Sequence, residues 1–207
     1  KCQCEKGHGK GDCGVVATCR GLAAFPDASE YPDRLDCLFI HSPKLGALDM
    51  DAKDRGLRAL PSTLRRLDLS ECSLGELPAS GLGHLSNLRV LNLEFNRLRR
   101  LPEETLNGLS LLKVLWLTGN HYQPGEKGYK RMKKAGNRLE QLHERQFEGL
   151  RNLQVLLLHH NALRQLPEAV FAGLRKLRVL KLLDNPFQPA LDRRHPAFRE
   201  LLAEGEA

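Results

Sequence analysis

Five times in 207 residues the chain begins the same nine-position phrase, Leu-x-x-Leu-x-Leu-x-x-Asn. It starts at Leu64, Leu88, Leu112, Leu153 and Leu177, and Cys72 stands in the ninth position the first time. The intervals between starts are 24, 24, 41 and 24 residues. One unit of that length is a single supersecondary coil that cannot bury its own leucines, so successive coils have to stack and share a continuous core. Within the unit, leucines at alternate positions put one face of a short strand inward. The asparagine that follows is expected to turn the chain and to hydrogen-bond backbone groups of neighbouring coils. The rest of the unit repeats as well. After Leu93 come Asn96, Leu98, Leu101, Pro102, Leu106 and Leu109, and after Leu158 come Asn161, Leu163, Leu166, Pro167, Phe171 and Leu174.

The period also exposes its interruptions. The 41-residue interval is one period plus 17, which places an insertion at 121–137, HYQPGEKGYKRMKKAGN. It carries Lys127, Lys130, Arg131, Lys133 and Lys134 against one acid, Glu126, with Gly125, Gly128 and Gly136 as breakers, and reads as a basic loop projecting from the edge of the solenoid. Upstream of Leu64 the register degrades. Leu35, Leu38 and Ile40 read as a strand leaving an N-terminal cap, Leu45, Leu48 and Met50 as an irregular coil, and Leu57, Leu60 and Pro61 as its descending half. The chain thus divides into an N-terminal cap with irregular coils at 1–63, five regular coils at 64–185, and a C-terminal cap at 186–207. In that cap, 195–203 has the composition of a short amphipathic closing helix.

Four of the six cysteines, Cys2, Cys4, Cys13 and Cys19, fall in the first nineteen residues. Such crowding suggests a small disulfide-stapled unit and an oxidising compartment. A zinc site drawing on these thiols and His8 is the competing reading; without a Cys-x-x-Cys knuckle, no metal is expected. Cys72 is expected as a buried free thiol. No apolar run approaches the roughly 18 to 20 residues of a membrane-spanning helix. The chain opens on Lys1 and not on Met and a signal sequence, so it is expected to be a mature or trimmed ectodomain, secreted or anchored elsewhere. There is no Asn-x-Ser/Thr sequon.

From Cys2-x-Cys4, Cys13, Cys19 and Arg20-Gly21-Leu22 into the repeat, the sequence resembles the extracellular leucine-rich-repeat family with an N-terminal cysteine cap. Within it the chain is similar to the variable lymphocyte receptors of jawless vertebrates and their invertebrate relatives, and more distantly to small proteoglycans and Toll-type ectodomains. The resemblance implies an α/β-type leucine-rich-repeat solenoid, a curved right-handed superhelix with a parallel β-sheet on its concave face, where such receptors bind antigen. The family's C-terminal cap normally carries cysteines, whereas none follows Cys72 here, so a non-rearranging recognition protein is the inference. Cys37 has no counterpart in the pattern.

With Leu at positions one, four and six inward, positions three, five, seven and eight face outward on the concave sheet. Six acids (Asp49, Asp51, Asp68, Glu71, Glu94, Asp184) then stand there against Arg66 and Lys181, a net of −4 in a chain of net +7. Beside them lie Asn92, Phe95, Trp116, the sole tryptophan, and His159 next to His160. The expected ligand site is Asp49, Asp51, Asp68, Glu71, Asn92, Glu94, Phe95, Trp116 and His159. Its expected partner is a microbial surface component or a protein or carbohydrate antigen bearing cationic groups. The alternative is a matrix or glycosaminoglycan binder using Arg97, Arg99, Arg100 and the 127–134 bases. Nucleic acid is not expected, because these bases lack interleaved stacking aromatics. No nucleophile elbow, zinc-protease helix or phosphate loop occurs, so neither an enzyme nor a cofactor is expected.

Overall fold

The structure, a computed structural model, describes residues 3–8, 13–22, 25–27, 29, 31–32, 34–43, 45, 56–77, 82–119 and 137–187. Its spine is one eight-stranded sheet in chain order: β1 (Gln3–His8), β2 (Val15–Arg20), β3 (Cys37–His41), β4 (Arg66–Asp68), β5 (Val90–Asn92), β6 (Val114–Trp116), β7 (Val155–Leu157) and β8 (Val179–Lys181). β1 pairs antiparallel with β2, and every later pairing is parallel. Seven parallel strands in sequence order make a solenoid of about five regular turns. Each strand is only three residues long after β3, because the chain has to turn back at position nine of every coil.

The repeat leucines fill the interior. Leu67, Leu91, Leu115 and Leu156 align across the strands, and with Leu69, Leu93, Leu117 and Leu158 they are 0% exposed. On the convex side the coils return through irregular turns and a 3-10 turn at Glu103–Leu106, which follows Pro102. Phe147 and Phe171 of adjacent coils stack there with ring centroids 6.0 Å apart. These apolar layers run without interruption from Ala17 to Phe187 in one core.

The strand beside β4 is β3. Leu35, Leu38 and Ile40, all fully buried, occupy positions one, four and six of a coil whose ninth residue is Pro43. Leu45 is also buried, and a 3-10 turn at Gly56–Ala59 buries Leu57. The remainder of the coil expected around Leu45, at 46–55, lies outside the described residues, as do Asn120, 121–136 of the expected insertion and 188–207 of the expected C-terminal cap.

One cysteine expectation changes. Cys13 is bonded to Cys37, with a Cα–Cα distance of 5.4 Å. Cys37 opens β3, whose first residue pairs with Val16 of β2, so it arrives beside the segment that leads into β2. Cys19 is also disulfide-bonded and fully buried. Cys2 and the side chain of Cys4 lie outside the description.

Position nine performs the role its residue type predicts. Asn96 donates through Nδ2 to the carbonyls of Leu69 (2.8 Å) and Leu93 (3.0 Å), while its Oδ1 accepts from the backbone N–H of Cys72 and Leu74. Asn161 and Asn185 repeat the scheme. In the third coil the residue in this slot is Asn137. It donates to the Leu93 carbonyl at 2.8 Å, accepts from the Leu98 N–H, and its backbone bridges Gly119. Cys72 caps the row as a free thiol, its Sγ 3.1 Å from the Ile40 carbonyl and 3.5 Å from that of Ser70.

Candidate functional site

The outward residues of the concave sheet fall into rows set by the strand register. Position three is Arg66, Val90, Val114, Val155 and Val179, and position five is Phe39, Asp68, Asn92, Trp116, Leu157 and Lys181. Just beyond the strands, backbone hydrogen bonds carry the rows onward. Leu69 N–H reaches Asn92, Glu71 reaches Glu94, Phe95 reaches Thr118, and His160 reaches Leu183. Position eight turns left-handed in four coils, with φ of 58° at Glu71, 56° at Phe95, 58° at His160 and 57° at Asp184. Such backbone conformations are sparsely used by residues with a side chain and gather where a surface must be presented in a fixed direction.

The N-terminal half of the face is aromatic and polar. The Arg66 guanidinium lies over the Phe39 ring at 5.3 Å and over the Trp116 ring at 5.9 Å from their centroids. It spans this distance because Asn92, between the two aromatics on β5, is short and buried. Asp68, expected as an open carboxylate, is only 6% exposed. Its Oδ1 accepts from the Ser70 hydroxyl at 2.7 Å and the Ser70 N–H at 3.0 Å, and its Oδ2 accepts from Asn92 Nδ2 at 3.1 Å. A carboxylate so occupied positions its neighbours and leaves little for a ligand. Asn92 in turn accepts from the Glu94 N–H at 3.0 Å, which fixes the loop carrying Glu94 and Phe95, both half-buried.

The C-terminal half is more apolar. Leu157 is half-buried, Val179 exposed and Leu183 66% exposed. The His159 and His160 rings pack at 5.0 Å between centroids with their planes tilted by 55°, and His160 Nδ1 lies 3.0 Å from Asp184 Oδ2. Burial holds the His159 pKa below the usual histidine value, and neighbouring His160 and Lys181 push it the same way while Asp184 opposes them. A lowered folded value means that the neutral ring is favoured, so the stability His159 contributes is present at neutral pH and is lost as pH falls.

Three polar atoms of this face are buried with no hydrogen-bond partner among the described residues: Arg66 Nε, Thr118 Oγ1 and His159 Nδ1. Native structures leave few such atoms, and each calls for an account. All three sit at position three or seven of the concave strands.

Of the residues expected in the site, Asp68, Glu71, Asn92, Glu94, Phe95, Trp116 and His159 lie on this face, while Asp49 and Asp51 lie outside the described residues. Phe39 was missed. Its signal was the phrase Leu35-x-x-Leu38-x-Ile40, which satisfies the repeat and puts Phe39 at position five. Arg66 was on the outward map but could not be paired with its aromatics without the register. Among the described residues no group of three or more His, Cys, Asp or Glu is arranged to hold a metal ion, and no helix is long and apolar enough to cross a membrane.

A family model described as leucine-rich repeat matches residues 62–121 and 135–187, together more than half of the chain. The gap in the match falls on the segment by which the third interval exceeds the period. No curated protein matches the chain.

Proposed function

Since the chain belongs to the leucine-rich-repeat family, whose members generally mediate recognition of a ligand on a non-enzymatic scaffold, we propose that it is a recognition protein of the immune type. It binds an antigen or a bacterial surface component through its concave face. The observation that carries this reading is that Arg66, Thr118 and His159, each with a buried atom that has no partner among the described residues, lie on the same open sheet face that presents Trp116 and Phe95. Aromatics beside polar groups form the usual anchors of an interface. Glu94, beside Phe95, is the carboxylate placed to meet a cationic group on the ligand. A disulfide and the absence of a long apolar helix among the described residues are compatible with an extracellular location.

The test is binding of the purified chain to intact bacteria and to glycan arrays, repeated with Glu94→Ala, Phe95→Ala and His159→Ala. Loss of binding in these folded variants is the expected result. Binding unchanged in all three would overturn the concave-face reading.

A second reading, attachment to a sulfated matrix polysaccharide, is favoured by a specific edge of the solenoid. At position two of successive coils stand Arg65, Arg89, Lys113 and Arg178, joined through backbone hydrogen bonds from coil to coil with Gln154 between the last two. Arg151, Arg175 and Lys176 add to this edge in the last two coils, beside an open groove of about 1020 Å³. A line of bases at strand spacing suits a linear polyanion. Retention on a heparin column that falls with salt, and that drops further in Lys113→Ala/Arg178→Ala, is the expected outcome of this reading; passage through the column at low salt would exclude it.

A further inference from the structure

Resting on the concave-face reading, we propose that Arg66, clamped between Phe39 and Trp116, is a subsite for the carboxylate of an acidic sugar carried by the ligand. The guanidinium has five N–H donors in a fixed plane. Its Nε is buried without a partner among the described residues, and the Arg66 side chain makes no hydrogen bond or ion pair with any of them. The nearest acid on its own strand, Asp68, is already held by Ser70 and Asn92. A half-buried cation therefore stands on an open face with no ion-pair partner among the described residues and with two rings against its guanidinium. Planar stacking of this kind leaves the outer edge of the guanidinium free to take an oxoanion through two parallel hydrogen bonds.

The surroundings select the bearer of that anion. Phe39 and Trp116 are each only half-buried, so part of each ring remains open beside the guanidinium edge. A pyranose with a carboxylate borne directly on its ring can lay its C–H face on an aromatic while the carboxylate meets Arg66. An acidic amino-acid side chain carries its carboxylate on a flexible stem and offers no such face.

Trp116 is the sole tryptophan, so selectively excited tryptophan fluorescence reports on this spot alone. The whole chain is titrated with the methyl glycoside of N-acetylneuraminic acid and with methyl glucuronide, against neutral methyl glucoside and an Asp/Glu-rich peptide. Ligand line broadening by NMR gives a second readout independent of the indole. The expected result is saturable binding of one or both acidic glycosides, absent for the neutral one. Arg66→Ala, with its circular dichroism unchanged, should weaken it about tenfold or more, and Arg66→Lys should weaken it less. Equal binding of the neutral glycoside, undiminished binding by Arg66→Ala, binding of the peptide alone, or no binding of any probe would each overturn the proposal. Bacterial binding that survives Arg66→Ala but fails in Glu94→Ala and His159→Ala would remove this subsite and leave the concave-face reading standing.

Discussion

At the scale of single residues, position nine decides most. Asn137, fully buried, accepts from the Leu98 N–H and shares the Leu93 carbonyl with Asn96, so Asn137→Ala leaves the buried Leu98 N–H unpaired. A loss of about 1–3 kcal/mol is expected, the cost of one buried group left without a partner, and Asn161→Ala, which strips the Leu139 N–H, should cost a similar amount; urea unfolding of the two variants checks both. Cys72, in the same row, is a thiol whose pKa burial pushes up to about 11, with Asp68 and Glu71 adding to the rise. At pH 8 only about one molecule in a thousand carries the thiolate, so the native protein should resist a thiol reagent that labels it promptly in denaturant. The sign of the linkage follows. The folded value is raised, so the contribution of Cys72 is complete below the unfolded value near 9.0 and is lost as pH rises toward 11. Chemical denaturation at pH 8 and pH 10.5 measures that decline. The sequence made Cys72 legible as a ninth-position residue, but it put Asn120 in that slot of the third coil and Asn137 in the insertion, whereas Asn137 closes the coil. The choice rests on which carbonyls lie within reach, and that is a property of the stacked neighbours.

At the scale of elements, strand register and turn geometry separate what the sequence revealed from what it hid. The strands at Leu88, Leu112, Leu153 and Leu177 lie where the leucine phrase puts them, since inward leucines at fixed spacing leave no other register. The coil before β4 was harder to read, because 29 residues separate Leu35 from Leu64 in place of 24, and a stronger-looking run near Leu45 drew the register away. Gly119 marks a different constraint. A Cβ there would overlap the backbone carbonyl oxygens of His160 and Asn137. Gly119→Ala has to force the third and fourth coils apart and is expected to destabilise the chain by about 1–3 kcal/mol, as overpacking does, lowering Tm by several degrees in a thermal melt. Gly75→Ala, where nothing lies within 4 Å of the added carbon, serves as the control with little change.

At the scale of the whole molecule, each coil touches only its neighbours, so stability is passed along the axis. The Cys13–Cys37 bond, spanning 24 residues, ties the segment before β2 to β3 at one end of that axis. Its reduction should cost about 2–4 kcal/mol in the N-terminal part and much less further on. Hydrogen exchange under reducing conditions is expected to quicken in β2 and β3 while β6 and β7 stay protected; uniform quickening along all strands would show that the axis unfolds as one unit. The concave face was legible from the sequence as a list of outward positions, since the alternation of a strand fixes which side chains point out. Its chemistry was less so. Charge counting made the face acidic, yet Asp68 is held by Ser70 and Asn92, and Asp184 lies against His160. Among the described residues, a charged side chain on this face that has no polar partner is a cation, Arg66, held between two rings from strands on either side of it.

The bridge between Gly119 and Asn137 joins two residues 18 apart in the chain within one coil. The two lips of this seam therefore meet directly, whatever length of polypeptide joins them in sequence. That makes the seam a natural grafting port. A foreign epitope, an affinity tag or a bare Gly-Ser tether exchanged for 120–136 leaves the leucine register on both sides untouched, provided that Gly119 and Asn137 are kept.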